Sequence, residues 1–183
     1  MRPVVLYTLL SLDGVAESPD QFVFDWDDRL DANLAVVIAE QDAVLLGHQM
    51  YDEWAEYWPT SDVEPFASFI NGVQKYVVAS SQPDGDWGPR TVVTDHLEGF
   101  VAELKQTDGG TIGIHGSIRL AQSLLRAGLV DELHLFMAPL LFGGKAKAAV
   151  GGEGVARIAD AFAMQLETVE RIGNDLHAVY VKR

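Results

Sequence analysis

Short apolar runs alternate with amphipathic stretches as far as about residue 138, and no other feature restricts the fold of this chain as strongly. Residues Val4–Leu12 are almost wholly apolar and stop at Asp13-Gly14, which is typical of a strand buried on both faces and followed by a turn. Further strands are predicted at Ala43–Leu46, Lys75–Ala79, Thr91–Thr94, Thr111–Ile114 and Glu132–Ala138. Helices are predicted from Asp27 or Asp28 to Ala39 and over His48–Trp58, Phe66–Asn71, Leu97–Lys105 and Ile118–Gly128. Such alternation predicts parallel strands joined by helices.

The C-terminal part of the chain has a different pattern. Phe162–Arg171 and Asp175–Lys182 alternate in polarity around Gly173-Asn174, which predicts an antiparallel hairpin. At 183 residues and 48% hydrophobic residues, the chain is long enough for one core. The sequence therefore predicts a single α/β domain over residues 1–183, with three α/β/α layers, a mainly parallel central sheet and a C-terminal antiparallel hairpin.

Charge and composition exclude several classes of partner. With 13 Lys and Arg against 27 Asp and Glu, the formal net charge is −14, which repels nucleic acid and anionic membranes. The absence of cysteine excludes disulfides and thiolate chemistry, and the scattered histidines do not predict a metal site. We expect a cytoplasmic protein whose partner is a small molecule, without nucleic acid, membrane or metal.

The ends of the predicted strands carry the candidate ligand site, because ligands collect at the carboxyl ends of parallel strands. The clearest of these ends is His115-Gly116-Ser117, where a strand passes into a helix through small residues. Such a junction points unpaired backbone N–H groups and the positive end of a helix dipole at one spot, which predicts binding of a phosphate. The strand ends Ser11–Gly14, Gly47-His48 and Ser80-Ser81 are expected to converge on it.

Several segments occur in a familiar order: Ser11–Gly14, Leu45–Tyr51, Lys75–Ser81, Gly116-Ser117, Gly128–Leu133 and Ala138–Gly144. With these segments the chain resembles the dihydrofolate-reductase-like superfamily, on the side of the C-terminal reductase domain of the riboflavin biosynthesis protein RibD. The resemblance implies a dihydrofolate reductase-like fold, a homodimer, and NADPH as cofactor, with NADH as the alternative. It also implies hydride transfer to a small heterocyclic or ribosylated substrate of the pyrimidine or pterin kind, as in 5-amino-6-(5-phosphoribosylamino)uracil reductase.

The resemblance also implies roles for individual residues. The cofactor-binding residues would be Leu12, Gly47, His48, Gln49, Met50, Ser80, Ser81, His115, Gly116, Ser117, Ile118, Arg119 and Leu120. Asp13 and Asp28 would be catalytic, and Trp26, Tyr51, Trp54 and Phe142 would bind the substrate. Asp13 could feed a proton through water if burial raised the pKa of its carboxyl.

Two of these positions depart from the family pattern. His48 stands where the family commonly has an arginine that reads the adenosine 2′-phosphate or the diphosphate, and Met50 stands where a threonine hydroxyl is usual. Both departures favour weaker binding of NADP. Arg119 could supply the missing positive charge.

Each feature also has a simpler interpretation. The junction at Gly116 could bind nothing, His48 could only cap a helix, and the tryptophans and tyrosines could form core or a dimer contact. The main alternative function is a nucleotide-, pterin- or flavin-binding member of the same fold that does not catalyse reduction. A purely structural subunit without a cleft is the third interpretation.

Overall fold

The computed structural model describes residues 1–19, 28–143, 147–149 and 161–183, and all structural statements below refer to these residues. Its strands are β1 (Val4–Ser11), β2 (Gln41–Gly47), β3 (Gln74–Val78), β4 (Arg90–Val93), β5 (Thr111–His115), β6 (Glu132–Ala138), β7 (Met164–Ile172) and β8 (Asp175–Lys182). Its α-helices are α1 (Asp28–Ile38), α2 (His48–Tyr57), α3 (Phe66–Gly72), α4 (Leu97–Leu104) and α5 (Ile118–Arg126). Every strand and helix predicted from the pattern is present, with bounds that agree within a few residues.

The strands form one eight-stranded sheet in the order β4-β3-β2-β5-β1-β6-β8-β7. The first six strands of the chain pair in parallel, and β8 and β7 add an antiparallel hairpin at one edge. This arrangement confirms the predicted mainly parallel sheet with a C-terminal antiparallel hairpin.

Helices cover both faces of the sheet, because the central strands are apolar on both sides. On one face, Leu30 and Leu34 of α1 pack with Tyr51 of α2 and Ile70 of α3. On the other face, residues of α4 and α5 such as Val101 pack against the alternate side chains of the same strands. The result is the predicted three-layer α/β/α arrangement.

The parallel strands all end at one edge of the sheet, and the loops there lie next to one another. At this edge β2 passes directly into α2, β5 passes through Gly116-Ser117 into α5, and β4 passes through residues 94–96 into α4. None of the described helices is long and apolar enough to cross a lipid bilayer. The carboxyl edge of the parallel strands is therefore where the fold concentrates helix N-termini.

Candidate functional site

The ends of β2 and β5 are tied together by one hydrogen bond. The backbone N–H of Gly47 donates to the hydroxyl oxygen of Ser117 at 2.9 Å. Gly47 is the N-cap of α2 and Ser117 is the N-cap of α5, and neither helix has a side-chain hydrogen bond capping its first turn. Two helix N-termini with uncapped N–H groups therefore lie side by side, and both dipoles favour a negative charge at the same place.

Gly116 allows this junction to be compact. Its φ of +72° lies in the left-handed region, and a Cβ there would lie 3.0 Å from Cζ2 of Trp54 and 3.2 Å from Sδ of Met50. Met50 and Trp54 of α2 thus pack against the turn before α5. Trp54 also contacts Trp58 edge-on, with ring centroids 5.7 Å apart, so one side of this predicted substrate residue belongs to an aromatic cluster.

Three polar side chains lie beside the junction, and two of them have a partner further along α2. His48 Nε2 lies 3.1 Å from Oδ2 of Asp52, one turn further along α2. Gln49 donates to Glu53 at 2.8 Å along the same helix. Arg119, in the first turn of α5, is exposed and carries a permanent positive charge beside the junction.

A cleft of about 240 Å³ opens at the same edge, between the ends of β3 and β4. Apolar side chains and Ser80 line it from β3 and the residues after it, and Val93–Leu97 line it from β4 and the start of α4. The sequence analysis predicted Ser80 and did not predict Thr94, Asp95 and His96. The sequence does contain a signal for these site residues, because they stand where a predicted strand passes into a predicted helix.

Asp13 holds two loops together at the end of β1. Its carboxylate accepts hydrogen bonds from the Ser11 hydroxyl at 2.5 Å and from the backbone N–H groups of Gly143 at 2.6 Å and Phe142 at 3.2 Å. The Ser11 bond, followed by the Gly143 bond, holds the pKa of this carboxyl below its usual range. The condition for a proton relay, a pKa raised by burial, is therefore not met, and Asp13 connects the turn after β1 to the loop after β6.

Three side chains assigned to the site by resemblance lie in the core instead. Tyr51 is fully buried, and its hydroxyl donates to the Trp87 carbonyl at 3.0 Å and accepts from the Trp87 N–H at 2.9 Å. His115 is buried against Gln41, with Nε2 and Oε1 2.8 Å apart, and Leu120 is buried on the other face. Tyr51 therefore cannot offer its ring to a substrate, and His115 and Leu120 could contact a cofactor only through main-chain atoms.

The remaining predicted site residues are spread along the same edge. Leu12 is 54% exposed and Phe142 is 50% exposed at the ends of β1 and β6, where the Leu12 N–H donates to the Leu140 carbonyl at 2.8 Å. Ser81 is exposed, Ile118 is partly exposed, and Asp28 is exposed at the start of α1. Trp26 lies outside the described residues. No group of three or more His, Asp or Glu in the described parts of the chain could hold a metal ion.

Comparison with known proteins gives consistent results. The model of the RibD C-terminal domain family matches residues 2–178. Uncharacterized protein YyaP of Bacillus subtilis is 26% identical over 147 residues, which cover 78% of this chain and 77% of that protein. The 2,5-diamino-6-ribosylamino-4(3H)-pyrimidinone 5′-phosphate reductase of Methanothermobacter thermautotrophicus is 33% identical over 90 residues, which are 49% of this chain and 38% of the reductase.

A solved structure confirms the fold. The structure of Acinetobacter baumannii RibD superposes on this chain with a TM-score of 0.72 at 17% identity. The superposition covers 100% of this chain and 58% of that chain, so the chain spans little more than half of that RibD. At this identity the likeness concerns the fold alone.

Proposed function

This chain belongs to the RibD C-terminal domain family, and from that membership we propose that it is a nicotinamide-dependent reductase acting on a small heterocyclic or ribosylated substrate. The family contains reductases of riboflavin biosynthesis, and one relative is named as a pyrimidinone phosphate reductase. A pyrimidine- or pterin-like ring is the substrate class that this kinship favours.

The observation that carries the proposal is the contact between Gly47 and Ser117. It joins two uncapped helix N-termini at the carboxyl edge of a parallel sheet, where a diphosphate can accept backbone hydrogen bonds. The chain has a net charge of −14, so an anionic ligand needs such a local device. The uncapped N–H groups in the first turns of α2 and α5, the hydroxyl of Ser117 and the side chain of Arg119 would hold the diphosphate.

The strand order supports the rest of the proposed layout. The β3–β4 cleft lies two strands from the β2–β5 junction, and neighbouring strands are about 4.8 Å apart, so the two places are separated by about 10 Å. That separation suits a nucleoside in the cleft joined to a diphosphate at the junction. On the other side of the junction, the exposed side chains of Leu12 and Phe142 offer an apolar surface to flat rings.

In the proposed reduction, residues of this chain position the reacting rings, and the proton comes through water. A bound nicotinamide supplies the hydride. The junction and the apolar surface of Leu12 and Phe142 position the reacting rings, and such positioning supplies a large part of the rate. Because hydrogen bonds lower the pKa of Asp13, we assign it no proton transfer. Asp28, exposed at the start of α1, would orient the substrate by accepting hydrogen bonds from its N–H groups, and water would supply the proton.

Binding of NADH and NADPH, followed by the change in tryptophan fluorescence, tests the proposal. We expect Ser117→Ala to weaken dinucleotide binding about tenfold, because it removes a hydroxyl from the diphosphate site and the hydrogen bond that holds the two helix N-termini together. Ser123→Ala is the matched control. Its hydroxyl donates to the Arg119 carbonyl at 3.0 Å within α5, two turns or less from the junction.

Two outcomes would contradict the proposal. If neither dinucleotide bound at millimolar concentration, the reductase function would be wrong. Equal affinity of Ser117→Ala and Ser123→Ala for the dinucleotide would place the diphosphate away from the junction.

A second candidate is a nucleotide-binding protein of the same fold without reductase activity. Met50 packs against the Gly116 turn, and Tyr51 is buried, so two positions associated with ligand binding by resemblance are used for packing here. Binding of dinucleotide without oxidation of NADH or NADPH in the presence of pyrimidine and pterin substrates would favour this candidate.

We also propose a homodimer. The edge strand β7 has nine residues, and most of them are exposed. A second copy could cover this edge by continuing the sheet.

A further inference from the structure

The cleft between β3 and β4 has a distinct electrostatic character. Its polar lining consists of Ser80, Thr94, Asp95 and His96, with an apolar floor that includes Val78 and Val93. Asp95 is the one acidic residue among the lining residues. None of the lining residues is a lysine or an arginine. Glu98 adds a second carboxylate in the first turn of α4. These carboxylates suit hydroxyl groups and oppose the attraction that the uncapped N-terminus of α4 has for an anion.

His48, at the start of α2, already has a partner within the protein. Its Nε2 lies 3.1 Å from Asp52, and the second oxygen of that carboxylate accepts the Gly85 N–H at 3.1 Å. Asp52 is thus also held by the loop between β3 and β4, and the imidazole of His48 is engaged with it.

The position of the cleft decides which part of a dinucleotide meets these charges. If the diphosphate lies at Gly47 and Ser117, the nucleoside on the β3 side reaches the cleft about 10 Å away. This step rests on the proposed function. The ribose of that nucleoside carries the group that distinguishes the two coenzymes, a free 2′-hydroxyl in NADH and a 2′-phosphate in NADPH.

We propose that the β3–β4 cleft accepts a nucleoside with a free ribose 2′-hydroxyl, and that Asp95 makes this chain prefer NADH to NADPH. The carboxylate of Asp95 accepts a hydrogen bond from a ribose hydroxyl. A 2′-phosphate adds between one and two negative charges at neutral pH, and the carboxylate of Asp95 repels it. Binding of a ribose diol by an acidic residue near the end of a strand follows the same chemistry in other dinucleotide-binding folds.

The experiment measures binding and does not depend on turnover. Affinities for NADH and NADPH are measured by titration calorimetry, together with those for two fragments, ADP and its 2′-phosphate. The fragments report on the cleft and the junction without the nicotinamide. We expect NADH to bind at least tenfold more tightly than NADPH, and ADP to bind more tightly than its 2′-phosphate by a similar factor.

Variants assign the preference to Asp95. We expect Asp95→Asn to reduce the NADH-to-NADPH affinity ratio at least fivefold, because it weakens the bond to the ribose and removes the repulsion. The double variant Asp95→Asn with His48→Arg should prefer NADPH, because it adds a permanent cation. Asp108→Asn is the control, since Asp108 is an exposed carboxylate before β5, at the opposite edge of the sheet, and its loss changes the net charge equally.

The outcomes separate this inference from the proposed function. Equal or tighter binding of NADPH by the unmodified protein would overturn the preference and leave the reductase function standing. An Asp95→Asn ratio equal to that of Asp108→Asn would show that Asp95 does not set the preference. If no dinucleotide bound but ADP still bound more tightly than its 2′-phosphate, the cleft assignment would hold and the reductase function would fail.

Discussion

At the scale of single residues, Lys75 is the most unusual charge in the structure. It lies on β3 and is completely buried, and its Nζ donates to the Val73 carbonyl at 3.0 Å and lies 4.3 Å from the ring centroid of Trp87. Burial lowers the pKa of this ammonium group to about 8. The lysine therefore holds the loop around Trp87 against β3 while carrying a charge that the folded protein solvates poorly.

Substitution of this lysine should change how stability depends on pH. In the unfolded chain Lys75 keeps its ordinary pKa of 10.5, so the unfolded state binds more protons above pH 8 and stability rises with pH. We expect this group to add about 2 kcal/mol to the free energy of unfolding between pH 7.5 and 9.5. In Lys75→Met the increase should disappear.

Urea unfolding of the two proteins across this range measures the effect. Lys182→Met is the control, because Lys182 is exposed and donates to the Gly128 carbonyl at the other side of the molecule. An equal increase in Lys75→Met and in the unmodified protein would mean that the buried lysine does not titrate in this range.

At the scale of secondary structure elements, a row of polar rings crosses the sheet beneath α1. Tyr7 pairs in register with His115 on one side and His134 on the other, and His177 of β8 stacks on His134 with ring centroids 5.1 Å apart. One arrangement of protons accounts for three hydrogen bonds at its β8 end, and in it Nδ1 of His177 has no proton for Glu170, whose Oε1 lies 3.3 Å away. Asn33 of α1 donates to His177 Nδ1 at 2.9 Å, His177 donates to His134 at 3.0 Å, and His134 donates to Glu132 at 2.5 Å.

This row packs under two helices, since His177 contacts Asn33 of α1 and His115 contacts Phe66 and Phe69 of α3. Burial lowers the pKa of His115 to about 3 and also lowers the pKa of His177. Both rings gain protons more readily in the unfolded chain, whose histidines keep a pKa near 6.5, so stability falls as the pH drops through 6.5. From pH 7.5 to 5 we expect a loss of about 2 kcal/mol from His115 alone.

His115→Gln tests this dependence, because glutamine keeps an amide donor for Gln41 but does not titrate. Its free energy of unfolding at pH 7.5 should be lower, since the contacts of the ring with Phe66 and Phe69 are lost. Between pH 7.5 and 5 it should lose about 2 kcal/mol less than the unmodified protein. The exposed His96, replaced by asparagine, is the control, and the same acid dependence in both variants would contradict the role of His115.

The elements were predictable from the sequence, and the direction of individual side chains was less so. Apolar periodicity fixed each strand and helix within a few residues, because the period of burial follows from the geometry of the element itself. Tyr51 was predicted to face a substrate but is buried, because its partner Trp87 comes 36 residues later in the chain. Likewise, the sequence places Asp95 between a predicted strand and a predicted helix, but only the strand order shows that this strand end borders a cleft.

At the scale of the whole molecule, the two edges of the sheet differ. The edge strand β4 has four residues, whereas the edge strand β7 has nine. On one face of the hairpin, Leu166 is 49% exposed, Val169 is 57% exposed and Leu176 is 40% exposed. A long edge with exposed apolar side chains favours pairing with another strand.

A second copy of the chain is the partner that β7 fits best. If two copies of β7 pair antiparallel around Val169, the exposed apolar side chains of the two hairpins lie at the centre of the contact. We therefore expect a dimer in light scattering at micromolar concentration, and we expect Val169→Lys to be monomeric because it places like charges at the centre of the contact. Thr91→Lys on the short edge strand β4 is the control and should remain dimeric.

The charge of the molecule should make the proposed dimer sensitive to salt. Each copy carries a formal net charge of −14, so two copies repel one another, and the repulsion is screened when the Debye length falls from about 30 Å at 0.01 M salt to about 8 Å at 0.15 M. A contact made mainly by apolar side chains and backbone hydrogen bonds should therefore tighten as salt is added. If the dimer dissociated as salt rose, charge pairs would be its main support, and a monomer at every salt concentration would show that β7 remains an open edge.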